Sequence, residues 1–119
     1  MDFANKKCVP CEGGVPKLTP AEVAAALRSL DGWEARLESS QLHKHYRFKD
    51  FLAAMRFVNA LAAVAEAEGH HPDFNLHSWN QVDVTLWTHD LGGLSENDFI
   101  VAAKLDRLPE SFAPPPAGG

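Results

Sequence analysis

Chemistry-bearing side chains concentrate in Glu66-Ala67-Glu68-Gly69-His70-His71-Pro72, followed by Trp79, His89 and Asp98. Imidazole is the side chain whose unperturbed pKa lies near neutrality, so several rings converging on one pocket suit proton transfer or metal ligation. Pro72 biases His71 towards an extended conformation, in which the adjacent rings of His70 and His71 point to opposite sides. Such a pair wraps around a ligand more readily than it lines a helix stripe. Glu66 and His70 are also four residues apart, the spacing of neighbours on one helix face, and Asp98 fills the acidic position of a helix-capping box. Each therefore has a structural reading beside its chemical one. A metal reading would use His70, His71, His89 and Glu66 for zinc or non-haem iron. No HExxH pair is present, and adjacent histidines rarely place both rings on one ion, so no metal site is expected.

The elements that must carry these residues can be read from periodicity and capping. Thr19-Pro20-Ala21-Glu22 is a capping box with proline at the first helical position, and it opens a helix with Val23, Leu27 and Leu30 on one face. Asp31-Gly32 then turns the chain. Alternation predicts one strand through Trp33, Ala35 and Leu37 and another through Leu42, Tyr46 and Phe48, joined at Ser39-Ser40-Gln41. Asp50 caps a long helix whose predicted apolar face is Phe51, Met55, Val58, Leu61 and Ala65, and Gly69 stops it. A short strand over Phe74–His77 leads through Ser78-Trp79-Asn80 into a strand over Gln81–Thr88. Ser95-Glu96-Asn97-Asp98 opens a last helix reaching about Arg107. The order α-β-β-α-β-β-α predicts an α+β fold: a four-stranded antiparallel sheet with three helices packed on one face. His43 and His45 fall on the polar side of their strand and are expected to be solvated. His77, beside the cluster, is given no role.

The chain has 119 residues, which suits one domain, and its 45% hydrophobic and 23% charged content is ordinary for a globular protein. Three segments are expected: a Gly/Pro-punctuated leader over 1–18, a domain over 19–108, and a Pro/Gly-rich tail over 109–119. No apolar run approaches the roughly 20 residues that span a bilayer, and no signal-peptide core is seen, so no membrane contact is expected and a cytoplasmic location is. A formal charge of −5 argues against direct nucleic-acid binding. The two cysteines form Cys8-Val9-Pro10-Cys11 in the leader, where a four-ligand zinc site would lack two partners and a redox motif would lack its strand and helix.

An acid, three residues, His-His-Pro, an aromatic after five or six residues, a histidine ten positions later and a downstream Asp is the signature of the pterin-4a-carbinolamine dehydratase family. Here it reads Glu66, His70-His71-Pro72, Trp79, His89 and Asp98, supported by Gly32-Trp33, Phe48-Lys49-Asp50-Phe51, Thr88-His89 and Gly93-Leu94-Ser95. The chain closely resembles that family from about Thr19 to Leu108, and its leader resembles those of other members. It departs in the longer six-residue connection from Pro72 to Trp79 and in Gly69, where many relatives carry a carboxylate. The resemblance implies the fold drawn above and dehydration of 4a-hydroxytetrahydrobiopterin to quinonoid dihydropterin, a hydro-lyase step of tetrahydrobiopterin recycling, without a cofactor. It implies His70, His71 and His89 as catalytic residues, with His70 and His89 as the acid/base pair and His71 orienting the pterin. Substrate binding is expected from Glu66, Asp98 and Trp79, with Glu66 tuning the first histidine. A homodimer or homotetramer is implied too. The alternatives are a non-catalytic dimerisation or coactivator module, as animal members serve for a homeodomain transcription factor, and a pterin-binding relative in folate or molybdopterin metabolism.

Overall fold

The structure, a computed structural model, describes residues 2–10 and 15–109. The chain runs α1 (Pro20–Leu27), β1 (Glu34–Arg36), β2 (Gln41–Arg47), α2 (Phe51–Glu68), β3 (Asp73–His77), β4 (Gln81–Leu86) and α3 (Glu96–Asp106). This is the expected α+β order. Cys11 and the tail from Glu110 onward lie outside the described residues.

Local chemistry sets the helix limits. Thr19 and Glu22 exchange both bonds of the capping box, with Pro20 opening α1. Asp50 accepts from the Ala53 amide at 2.7 Å to start α2. Gly69 ends it at φ +66, a left-handed conformation that costs glycine little.

The four strands form an antiparallel sheet in the order β1-β2-β4-β3. Leu42 and Tyr46 of β2 and Val82, Val84 and Leu86 of β4 are buried on one face, where they join the helices in a single apolar cluster. Phe57 of α2 packs at 4.5 Å from Tyr46 and 5.1 Å from Phe48 between ring centres.

Two expectations need correction. The buried face of α2 is Ala53, Ala54, Phe57, Leu61 and Ala65, whereas Phe51 is half exposed. Large residues dominate a count of periodicity, but a helix lying close on a sheet turns its small residues inward. The first hairpin also turns earlier than predicted. Arg36 pairs with Gln41, so Leu37–Ser40 form the connection, and Leu37, Glu38 and Ser39 all take positive φ.

Residues 3–9 pack against α2 and α3. Phe3 is buried with its ring 5.6 Å from Phe99, the Cys8 amide donates to Glu68, and the Val9 amide donates to the Asn97 side chain.

Candidate active site

Strand order and register bring the histidines together. Asp73 of β3 lies opposite Thr85 of β4. Continuing that antiparallel register outward brings His71 level with Trp87, and Gly69 level with His89. The exit of α2 and the far end of β4 therefore meet, although nearly 20 residues separate them along the chain. A cleft of about 320 Å³ opens there, lined by Gly69, His70, His71, Pro72, Asp73, Trp87, His89 and Asp90. A larger hollow of about 590 Å³, bordered by Phe3, Lys44, Asp106 and Arg107, contains no imidazole.

His70 is the buried member of the set, at 7% exposure. Its Nε2 lies 2.6 Å from Oδ1 of Asp98, which is fully buried. An ionised carboxylate only accepts, so Nε2–H donates and the free electron pair of the neutral ring is left on Nδ1. Asp98 is fixed in turn through its other oxygen. The Ser95 amide donates to Oδ2 at 2.9 Å, closing the α3 capping box, and Thr88 Oγ1 donates at 2.8 Å. Thr88 is held in place because its backbone bridges to Gly93 across a tight loop, in which Gly92 takes φ +61. A helix cap, a strand end and the buried histidine of the cleft thus share one carboxylate.

The other rings are more open. His71 pairs with Glu66 at 2.5 Å on the exposed rim. His89 lies against Trp87, ring centres 4.1 Å apart and planes 32° from parallel. The Trp87 indole N–H reaches Asp73 at 3.3 Å.

The structure thus sets His70, His71 and His89 along one cleft and rearranges their expected supports. Glu66 meets His71 rather than His70: His70 turns inward after the left-handed Gly69, while His71 stays on the rim with Glu66. Asp98, expected at the substrate, has no exposed surface and stands behind His70. Trp79, expected as a cleft wall, sits at the tip of the β3–β4 hairpin and is 58% exposed. That tip lies at the opposite end of β3, roughly 16 Å from the cleft at about 3.3 Å per strand residue. Trp87 takes the wall position instead. Its spacing of two from His89 was the available signal, since alternate residues of an extended chain share a face. The expectation for His43 also fails: it is 8% exposed, and with His45 and His77 it surrounds Asp83 on the helix-free side of the sheet.

Comparison with known proteins shows the family and the fold. Residues 16–108 match the family described as pterin 4 alpha carbinolamine dehydratase. A Rickettsia bellii protein named for that activity is 48% identical over 106 residues, covering 89% of this chain and 93% of its own. The mitochondrial pterin-4-alpha-carbinolamine dehydratase 2 of Arabidopsis thaliana is 41% identical over 110 residues, covering 90% of this chain and 59% of its own. A crystal structure from Brucella melitensis, described as a transcriptional coactivator/pterin dehydratase, superposes with a TM-score of 0.72 at 38% identity, covering 76% of this chain and 96% of that one.

Proposed function

Because the chain belongs to the pterin-4a-carbinolamine dehydratase family and is a hydro-lyase of that kind, we propose that His70 and His89 are the acid/base pair that removes water from the 4a-carbinolamine. The observation that carries this assignment is the common cleft, in which one imidazole is buried against a carboxylate and a second stands on an aromatic wall.

The reaction needs little beyond proton transfer. The ring nitrogen beside C4a supplies an electron pair to expel the 4a-hydroxyl, so neither a covalent nucleophile nor a Lewis acid is required. His89 as imidazolium protonates the departing oxygen, and water leaves. His70 removes the ring proton through Nδ1, because Asp98 keeps the other proton on Nε2, and quinonoid dihydropterin results. Acid/base assistance of this kind contributes roughly 10²–10⁴-fold in rate. His71, steadied by Glu66, orients the pterin at the rim, and Trp87 offers a flat face for stacking.

Replacing His70 and His89 together by Ala should abolish enzyme-dependent turnover of freshly generated 4a-hydroxytetrahydropterin, while each single change leaves a part. Full turnover in the folded double variant would overturn the assignment. The physiological substrate in this reading is 4a-hydroxytetrahydrobiopterin, in recycling of the hydroxylase cofactor in the cytoplasm. Among the described residues no helix is long and apolar enough to cross a membrane. Residues 19–108 form the catalytic domain of this reading. We also propose a homodimer or homotetramer: β3 is an edge strand with unpaired backbone groups, and Phe74 on it is 47% exposed.

A further inference from the structure

We propose that His45, His77 and Asp83 form a zinc-binding site on the helix-free face of the sheet, separate from the dehydratase cleft, with His43 positioning its carboxylate. The site follows from strand parity and register. Positions 43 and 45 of β2, 83 of β4 and 77 of β3 all point away from the helices. His45 is the direct cross-strand partner of Asp83, and His77 sits diagonally from it, two residues beyond Asn75.

The side chains converge. His45 Nδ1 lies 2.9 Å from Oδ1 of Asp83, and His77 Nε2 lies 2.7 Å from Oδ2. One ligand atom from each of the three residues falls within 4.8 Å of the other two. Two imidazole nitrogens and one carboxylate are a zinc ligand set with a position left open, and a set rich in imidazole disfavours magnesium and calcium. With bonds of about 2.0–2.2 Å, ligand atoms around a tetrahedral zinc stand roughly 3.3–3.6 Å apart. The two nitrogen–oxygen separations run to different oxygens of Asp83 and are shorter, at 2.9 Å and 2.7 Å, because hydrogen-bonding protons now lie between the ligands. Binding would displace those protons, and small rotations of two half-exposed rings would open the site.

The surroundings are organised as a supporting shell. His43, wedged between strands, places Nε2 3.1 Å from Asp83 Oδ1 and Nδ1 3.4 Å from Glu34 Oε1. A hydrogen bond to a ligating carboxylate fixes its orientation. Glu34 is itself paired with Arg36 at 2.7 Å, so no unpaired charge of that pair crowds the site. Burial pushes the Asp83 carboxyl upward, but hydrogen bonds from His45 and His77 outweigh it and hold the group below the ordinary range. None of these four residues lines the dehydratase cleft.

The test uses the full-length, untagged chain in a Cys8→Ser/Cys11→Ser background, stripped with a chelator and then titrated with Zn²⁺ by calorimetry, and with Co²⁺ by visible absorption. One ion per chain is expected. Asp83→Asn, and separately the His45→Ala/His77→Ala pair, should weaken it by about 100-fold or more, and His43→Ala by about 10–100-fold as an outer-shell loss. Because the His45 and His77 side chains are 41% and 37% exposed, the double variant tests the site even if Asp83→Asn disturbs the sheet. The His70→Ala/His89→Ala variant should bind zinc as the parent does, and the His45→Ala/His77→Ala variant should keep full dehydratase turnover, which separates this proposal from the catalytic one. Failure to bind one ion, undiminished binding in the His45→Ala/His77→Ala variant, or loss of binding in the His70→Ala/His89→Ala variant would overturn it.

Discussion

Asp98→Asn separates what the buried carboxylate does for the fold from what it does for His70. Both structural donors, the Ser95 amide at 2.9 Å and Thr88 Oγ1 at 2.8 Å, reach Oδ2, whereas among the described residues His70 alone reaches Oδ1. An asparagine with its oxygen in the Oδ2 position keeps the helix cap and the threonine bond. Its amide nitrogen then faces Nε2 of His70. Two donors cannot face each other, so Nε2 must become the acceptor and the ring proton moves to Nδ1. The ring then has no electron pair to offer the substrate and cannot be doubly protonated without a donor–donor clash. The opposite amide orientation would strand the buried Ser95 N–H, at about 1–3 kcal/mol, and is disfavoured. Losing the charged acceptor should cost about 1–2 kcal/mol in stability, a fall in Tm of roughly 5–10 °C for a chain near 100 residues. Enzyme-dependent kcat should fall by about 10²–10⁴-fold, the full share of one acid/base group, with KM little changed. Asp98→Ala, by contrast, strands two or three buried donors at about 1–3 kcal/mol each and should threaten the fold itself. Stopped-flow turnover with the unaided reaction subtracted, beside thermal melts, measures both effects. Turnover in folded Asp98→Asn within about twofold of the parent would refute the tautomer argument. So would equal destabilisation by the two variants.

Trp87→Ala should raise KM about tenfold through loss of a stacking face and its buried area, while Trp79→Ala at the hairpin tip should change KM less than about twofold; the reverse order would put the substrate elsewhere. Burial, reinforced by the Glu68 carboxylate, pushes the Cys8 thiol up to about 12. At pH 8 it therefore stays protonated, and in a Cys11→Ser chain iodoacetamide should alkylate it on the order of 10³-fold more slowly than a free thiol. Labelling at the ordinary rate would show the leader detached from α2 and α3. Light scattering at micromolar concentration should find a dimer or tetramer, and a lone 13.0 kDa species would refute the edge-strand argument.

Local chemistry was legible along the chain. Capping boxes at Thr19 and Ser95, the Asp50 cap and the left-handed Gly69 are decided by neighbours within four residues, so the sequence alone determined where the three helices begin and where α2 ends. Alternation of Val82, Val84 and Leu86 with polar residues likewise determined which side of β4 is core. The spacing of Glu66, His70, His71 and His89 determined which residues to bring together.

Partnership was decided by tertiary structure, because it depends on strand order and on which of two rings turns inward. The sequence placed Trp79 in the turn before β4 and Trp87 near the far end of that strand, and only the β3–β4 pairing set Trp87 beside the exit of α2. Asp98 looked like a cap and is one, yet the loop bridged by Thr88 and Gly93 sets that cap against His70. Histidines 43, 45 and 77 looked like separate polar-face residues. They meet because β4, carrying Asp83, runs between β2 and β3, a non-local pairing that no local pattern encodes.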